Sequence, residues 1–457
     1  MKRRLRLAVV LAVVAFAWAY AATAGDADES RATQPAAGAG AAGREGMRAV
    51  VDRPKPVFEL SQRNARIYGL RPFQELVDAA APGSELLPPP GTYRGPVQVD
   101  KPLRIDGRGL VTIDAGDRGT VFTLATDNAT VRGMHLTGSG ESHDTDDSCL
   151  DVRGNDNHVE DLVIDNCLFG IDLKQSHRNV VRGNRIRSKP MDLGIRGDAI
   201  RLWYSNDNLV EDNHIDLSRD TVAWYSNRNT FRNNEGRHSR YSLHFMFAND
   251  NVVEGNRYIE NAVGVYLMYS ERVAVRHNVI SHATGAAGMG LGFKESSDAD
   301  IEDNDIVYCA VGVGSDISPF QPDTTIRFRN NHIAYNGIGF QFTSELGGNI
   351  ATGNILEGNL THVVQSGRGK ALLNQWHGNY WDDYEGFDLQ HKGTGATPYE
   401  YYAYTDLIWI ETPEARFFRN SPVMELLDFL ERLAPFSAPE LQVRDDAPLL
   451  VKPRVGS

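Results

Sequence analysis

The sequence predicts an all-β protein, a right-handed parallel β-helix with a short N-terminal cap helix and a C-terminal amphipathic helix. Three observations predict it. A phrase of Asn, alternating apolar and polar residues, then Gly-Asn or Asp-Asn returns about every 22 residues. Each unit breaks into two or three short strands punctuated by Gly and Asn, and no unit carries a helical pattern. Strands this short and regular cannot close a small barrel, but they can stack coil on coil, each pairing with the next about 4.8 Å away.

Residues 1–24 read as a signal peptide. Lys2 to Arg6 supply a basic start, Leu7 to Tyr20 an apolar run, and Ala22-Thr23-Ala24 a small-x-small cleavage site. Cleavage would take the formal net charge from −13 to −17, because Lys2, Arg3, Arg4 and Arg6 leave and no acid does. So acidic a chain repels nucleic acid and anionic lipid, while tolerating cationic substrates and metal ions. Residues 25–70, rich in Ala, Gly and acids, read as a flexible leader.

The solenoid, with its cap, is predicted over residues 71–375. Apolar Phe73, Leu76, Val77 and Ala80 sit at helical spacing within Pro72–Ala81, and Gly83 would end that helix. A helix here would cover the open edge of the first coil. The repeat phrase follows as Asn179-Val-Val-Arg-Gly-Asn184, Asn208-Leu-Val-Glu-Asp-Asn213, Asn229-Thr-Phe-Arg-Asn-Asn234 and Asn251-Val-Val-Glu-Gly-Asn256, then drifts through Asn278, Asn304, Asn331 and Asn354. Asn at equivalent turns can form ladders that satisfy the turn backbone.

Aligning the coils on these residues gives a register. Leu150, Ile171, Ile200, Thr221, Leu243, Val265 and Leu291 face inward, as do Val152, Leu173, Leu202, Ala223, Phe245, Leu267 and Phe293. Strand alternation turns two other columns outward. One is Asp151, Asp172, Arg201, Val222, His244, Tyr266, Gly292; the other is Arg153, Lys174, Trp203, Trp224, Met246, Met268, Lys294. This face begins charged, becomes aromatic and sulfur-rich, and ends basic. With each aromatic able to contribute roughly 150–250 Å², the Trp203–Trp224–Met246–Met268 stack has the size of a partner-binding surface, unless loops or the tail cover it.

Residues 376–457 change character. Trp376, Tyr380, Trp381, Tyr384, Phe387, Tyr399, Tyr401, Tyr402, Tyr404 and Trp409 supply rings to seal the lower end. Ser421-Pro422 then opens a helix whose Leu stripe, including Leu427 and Leu430, would pack on its own domain or on a partner. The three cysteines, Cys149, Cys167 and Cys309, show no metal-binding or redox spacing. One disulfide is conceivable, but three buried, inert thiols is the favoured reading.

Two chemistries are conceivable on the outward face. His244, Met246 and Met268 offer an imidazole and two thioethers, a soft set suited to exchangeable Cu(I). Composition alone favours the plainer reading, in which His244 is a hydrogen bonder and the methionines are contact surface. Asp151 above Asp172, among Arg153, Lys174 and Arg201, offers carboxylates of the sort that sugar-cleaving β-helices use. A salt-linked ladder explains those charges more simply. Triads, phosphate loops and paired-His zinc motifs lack convincing spacing, so no catalytic residue is assigned.

The segments Gly197-Asp-Ala-Ile-Arg-Leu-Trp-Tyr-Ser205, Arg240-Tyr-Ser-Leu-His-Phe-Met-Phe247, Met268-Tyr-Ser270 and Gly290-Leu-Gly-Phe-Lys294 resemble successive coils of the NosD family. So do the tail phrases Trp376, Gly378-Asn-Tyr-Trp-Asp-Asp-Tyr384, Gly386-Phe-Asp388, Pro398-Tyr399 and Leu427-Asp-Phe-Leu-Glu-Arg432. The resemblance spans roughly residues 70–450. It implies a periplasmic, non-enzymatic protein that works with an ABC transporter permease and ATPase and a copper chaperone lipoprotein. Together they would help to build the copper–sulfide centre of nitrous oxide reductase, with copper as transient Cu(I). It also raises the soft-metal reading of His244, Met246 and Met268. A carbohydrate-active β-helix is the alternative. Relatives carry an Asp-rich turn suited to a hard cation where this chain has Leu389-Gln-His-Lys-Gly-Thr-Gly-Ala396, with no carboxylate, so calcium is not expected there.

Overall fold

The computed structural model describes residues 67–343, 346–365, 373–389, 391–403, 421–422, 426, 429–430 and 440–453. The predicted signal peptide, and all but the last four residues of the predicted leader, lie outside them. All described residues belong to one compact unit, Gln62–Ser457.

That unit is a parallel β-solenoid. Its coils contribute to two sheets, one of twelve strands running from Val97–Val99 to Thr361–Gln365, and a second of 26 strands that carries the remaining walls. Coil-to-coil pairing is parallel throughout the solenoid; the closing strands Tyr399–Ala403 and Glu440–Asp445 pair antiparallel. Both columns read as inward are buried from Leu150 to Phe293, as period-2 alternation requires. The pairing also reaches further than the predicted boundary at residue 375, because strands Gln375–His377 and Tyr380–Trp381 each add to the coil before them.

The Asn ladders form. Within the ladders an Asn donates both its backbone N–H and a side-chain N–H to the amide oxygen of the Asn one coil later: Asn208 donates both to Asn229 Oδ1, at 2.8 and 3.1 Å. A second ladder runs Asn184, Asn213, Asn234, Asn256, Asn278, Asn304, Asn331, Asn354, Asn379. Turn N–H groups that would otherwise be buried without acceptors are thereby satisfied. This ladder ends on Asp445, whose carboxylate accepts from Asn379 N and Nδ2, both at 2.9 Å.

At the top, the helix is Gln74–Ala79, shorter than predicted. It stops because Ala80 is already extended (φ −76°, ψ 137°), ahead of an Ala81-Pro82 step that disfavours helix. Phe73 and Val77 are buried, and the Gln74 side chain hydrogen-bonds both N and O of Gln98 on Val97–Val99, the edge strand of the twelve-stranded sheet. The cap thus satisfies an edge that no coil covers. At the bottom, Trp376, Trp381 and Tyr399 are buried, with Trp381 stacked on Tyr399 at 4.3 Å. The predicted aromatic seal holds for these rings; Tyr404 and Trp409 lie outside the described residues.

The cysteine reading needs correction. Cys149 and Cys167 form a disulfide, their Cα atoms 5.6 Å apart. Successive coils bring the two together across 18 residues, which spacing in the sequence could not show. Cys309 is free and buried, and burial pushes its thiol up to about 12.

Candidate functional site

The outward columns sit on the twelve-stranded sheet in the predicted register. Lys174 lies beside Trp203, then Trp224, Met246, Met268 and Lys294 follow, each opposite the next. The neighbouring column runs Asp151, Asp172, Arg201, Val222, His244, Tyr266, Gly292. Met246 and Met268 are therefore direct neighbours on adjacent strands. His244 lies two residues along from Met246, on the same face.

The two columns are less open than alternation implies. The charged end is covered. Asp172 is fully buried between Arg201, at 3.0 and 2.5 Å, and Lys174, at 3.1 Å. Asp146, from the loop between Gly140 and Asp147, reaches over to Arg201 (2.9 Å) and Lys174 (3.2 Å). Asp151 is buried and paired with Arg153 at 2.9 Å. These carboxylates form the salt-linked ladder of the simpler reading, closed in by a loop, and leave no open acid–base pair. Further along the face, Asp198 pairs with Arg219, and Asp220 with Arg240. Burial raises the Asp198 carboxyl, with Asp220 adding to the effect and Arg219 opposing it.

His244 is also more buried than an outward position suggests, 7% exposed. Its ring stacks on Tyr241 at 4.7 Å and meets Tyr266 edge-on at 6.1 Å. The strand register slips just before it: Asp220 pairs with Tyr241, yet Val222 pairs with His244. The extra residue is a β-bulge, a device that bends a strand and re-aims the side chains beside it. Desolvation lowers the His244 imidazole to about 4, with nearby Arg240 adding to the effect and Asp220 opposing it. The ring is thus neutral, and its Nε2 is buried with no hydrogen-bond partner among the described residues. This neutral imidazole nitrogen without a partner lies on the same face as Met246 and Met268, whose thioethers are donors of the soft kind.

Sequence reading missed the companion of this face. The residue after each member of the Trp–Met column, in order Tyr204, Tyr225, Phe247 and Tyr269, forms a continuous ring stack. Centroid separations are 4.9, 5.1 and 4.7 Å, with planes within 13° of parallel. All four adopt positive φ, between 47° and 52°, a region costly for bulky side chains that persists only where the surroundings enforce it. Trp203 and Trp224 pack beside the stack, 4.7 Å apart. The signal was present in the recurring Trp-Tyr, Trp-Tyr, Met-Phe and Met-Tyr pairs. Two of the predicted partner-binding residues, Trp203 and Trp224, are half-buried by this packing. Of the other two, Leu430 is exposed and Leu427 lies outside the described residues.

Residues 188–386 match the family model described as the periplasmic copper-binding protein NosD. A probable ABC transporter binding protein NosD of Pseudomonas aeruginosa is 28% identical over 400 residues, covering 79% of this chain and 87% of the relative. A protein of the same description from Stutzerimonas stutzeri is 33% identical over 127 residues, 27% of this chain and 28% of that one. Among solved structures, the A-module of the Azotobacter vinelandii mannuronan C-5 epimerase AlgE6 superimposes with a TM-score of 0.51 at 17% identity, over 67% of this chain and 92% of that one. That likeness is one of fold. Trp203, Trp224, His244, Met246 and Met268 all fall within the matched segment; Leu427 and Leu430 fall beyond it.

Proposed function

We propose, with the chain's place in the NosD family as premise, that this periplasmic protein is a non-enzymatic accessory factor for nitrous oxide reductase. It carries or presents Cu(I) for assembly of the reductase's copper–sulfide centre. Its companions are an ABC permease and ATPase and a copper chaperone lipoprotein.

One observation carries the reading: Met246 lies directly opposite Met268, with His244 on the same face, inside the matched segment. Two sulfurs and one neutral nitrogen select Cu(I) over hard cations. Burial of His244 changes the expected acid sensitivity. An ordinary imidazole would release copper below about pH 6, but a ring held near 4 resists proton competition until the solution is more acidic. Three ligands without a closed shell also give the modest affinity that hand-over to a client requires.

The test is a Cu(I) titration under reducing conditions of wild type and a His244→Ala/Met246→Leu variant, with circular dichroism to confirm folding. Equal affinities would remove these residues as ligands and leave the face as a partner-contact surface. Against the carbohydrate-active alternative stands the burial and ion pairing of Asp151 and Asp172. Pectate and alginate should not be cleaved, with or without Ca²⁺. Steady turnover abolished by Asp172→Asn would overturn the accessory-factor reading.

The helix expected over Pro422–Leu433 is proposed to dock on the membrane partner through its Leu stripe. Leu426, Phe429 and Leu430 are exposed, and charges placed on such a stripe would enter the apolar interface. Leu427→Asp/Leu430→Asp should leave the solenoid folded and break the complex.

A further inference from the structure

A second cluster of donors lies at the solenoid's lower end, where the last strand of the twelve-stranded sheet meets the close of the other sheet. His362 is in the strand Thr361–Gln365, and Asp382 and Asp383 follow the strand Tyr380–Trp381. One donor atom from each lies within 4.8 Å of the others. We propose that His362, Asp382 and Asp383 form a site for a divalent cation of the Zn²⁺ class, separate from the copper face, which clamps the last coil to the segment that closes it.

The geometry fits such an ion. His362 Nε2 is 2.9 Å from Asp382 Oδ1 and 3.5 Å from Asp383 Oδ1. Tetrahedral ligands bonded at about 2.0–2.1 Å stand roughly 3.3 Å from one another, between these two values. The outer oxygens are already engaged: Asp382 Oδ2 accepts the Gly358 N–H, and Asp383 Oδ2 accepts the Tyr399 hydroxyl at 3.2 Å. Outer partners of this kind orient carboxylate ligands and leave the inner oxygens to face the ion. His362 is 5% exposed, edge-on to Trp381 at 5.8 Å, and its Nδ1 has no partner among the described residues. The two carboxylates keep part of their surface in solvent, which gives the ion an entrance and a fourth position for water. One nitrogen and two carboxylate oxygens suit Zn²⁺ and disfavour Cu(I).

The sequence of the column supports a dedicated purpose. In register with His362 stands Gly339, preceded coil by coil by Gly312, Gly290 and Gly264. A Cβ at Gly339 would come within 2.6 Å of the His362 carbonyl oxygen, and one at Gly312 within 2.8 Å of the Gly339 oxygen. Four coils admit no side chain here. The fifth places an imidazole, where the closing aromatic segment has brought two carboxylates.

The proposal is tested on the metal-depleted full-length protein by titrating Zn²⁺ against a chromogenic chelator, and by recording Co²⁺ visible spectra. One equivalent of Zn²⁺ should bind, at least tenfold more weakly in His362→Gln and in Asp383→Asn, with a tetrahedral Co²⁺ spectrum only in wild type. Zn²⁺ should raise the melting temperature of wild type and not of Asp383→Asn; this carboxylate is half exposed, so that variant keeps its fold. His244→Ala/Met246→Leu should bind Zn²⁺ as wild type does, which keeps this outcome independent of the copper reading. Absence of Zn²⁺ binding, or equal affinity in all variants, would overturn the proposal and leave the three residues as an ion pair only.

Discussion

His244 and His362 stand on the same sheet and are buried to nearly the same degree, 7% and 5% exposed, yet their chemistry is opposite. His244 sits between Tyr241 and Tyr266, and desolvation holds it neutral, near 4. His362 suffers the same desolvation, but hydrogen bonds and charge from Asp382 and Asp383 outweigh it and raise the ring to about 9. Burial alone therefore does not decide the state of an imidazole; the partners that a coil boundary supplies do. In the middle of the solenoid the nearby carboxylate, Asp220, is already paired with Arg240, so His244 is left with sulfur and aromatic neighbours. The end is where a non-repeating segment can deliver carboxylates.

The sharpest way to break this comparison is metal selectivity. Replacing Met246 and Met268 together by Leu should lower Cu(I) affinity about 100-fold or more, as two of three soft ligands vanish, without changing Zn²⁺ binding. Loss of Cu(I) binding in His362→Gln instead would merge the two sites into one. Next in size is stability. Asp382→Asn removes one counter-charge of a buried imidazolium, and should cost about 1–3 kcal/mol in urea unfolding at neutral pH, discounted because the carboxylate is partly exposed.

A pH scan sharpens the contrast further. For His244, the unfolded ring titrates near 6.5 and the folded ring near 4. The unfolded state binds the extra proton between those values, so stability falls as pH drops from 6.5 towards 4. For His362, the folded ring holds its proton up to about 9. Its contribution is complete below 6.5 and is lost as pH rises through 9. His244→Phe should flatten the acid limb and His362→Gln the alkaline limb; a variant that alters both limbs would show that the histidines are coupled. The smallest effect is expected at Leu430, which is exposed. Leu430→Asp should shift unfolding by no more than about 0.5 kcal/mol while weakening partner capture.

How much of this was legible in the sequence follows from the range of each interaction. The Asn ladders, both inward columns and the Met246–Met268 pairing were readable, because period-2 alternation and a fixed repeat are local and self-checking. The cover over Asp172 was not, since it comes from Asp146 on a loop whose reach has no sequence pattern. Nor was the bulge before His244, which adds one residue without disturbing the apolar pattern. The disulfide hid because coil stacking, not spacing, joins Cys149 to Cys167. Asp382 and Asp383 stand within the Gly378–Tyr384 phrase, but nothing in that phrase points back twenty residues to His362.

The Asn ladder's last acceptor has a mechanical consequence. Asp445 reaches back 66 residues to hold Asn379, and its strand also zips antiparallel to Tyr399–Ala403. Each inner coil is held mainly by its two neighbours, so a solenoid under tension from its C-terminal side would come apart from that end. The Glu440–Asp445 strand would have to peel first. Only then would the coils unwind one after another, each releasing about 75 Å of chain for some 22 residues. Pulled in an optical trap, the molecule should give one opening rip followed by a regular staircase, and Asp445→Ala should lower the force of that rip while leaving the steps unchanged.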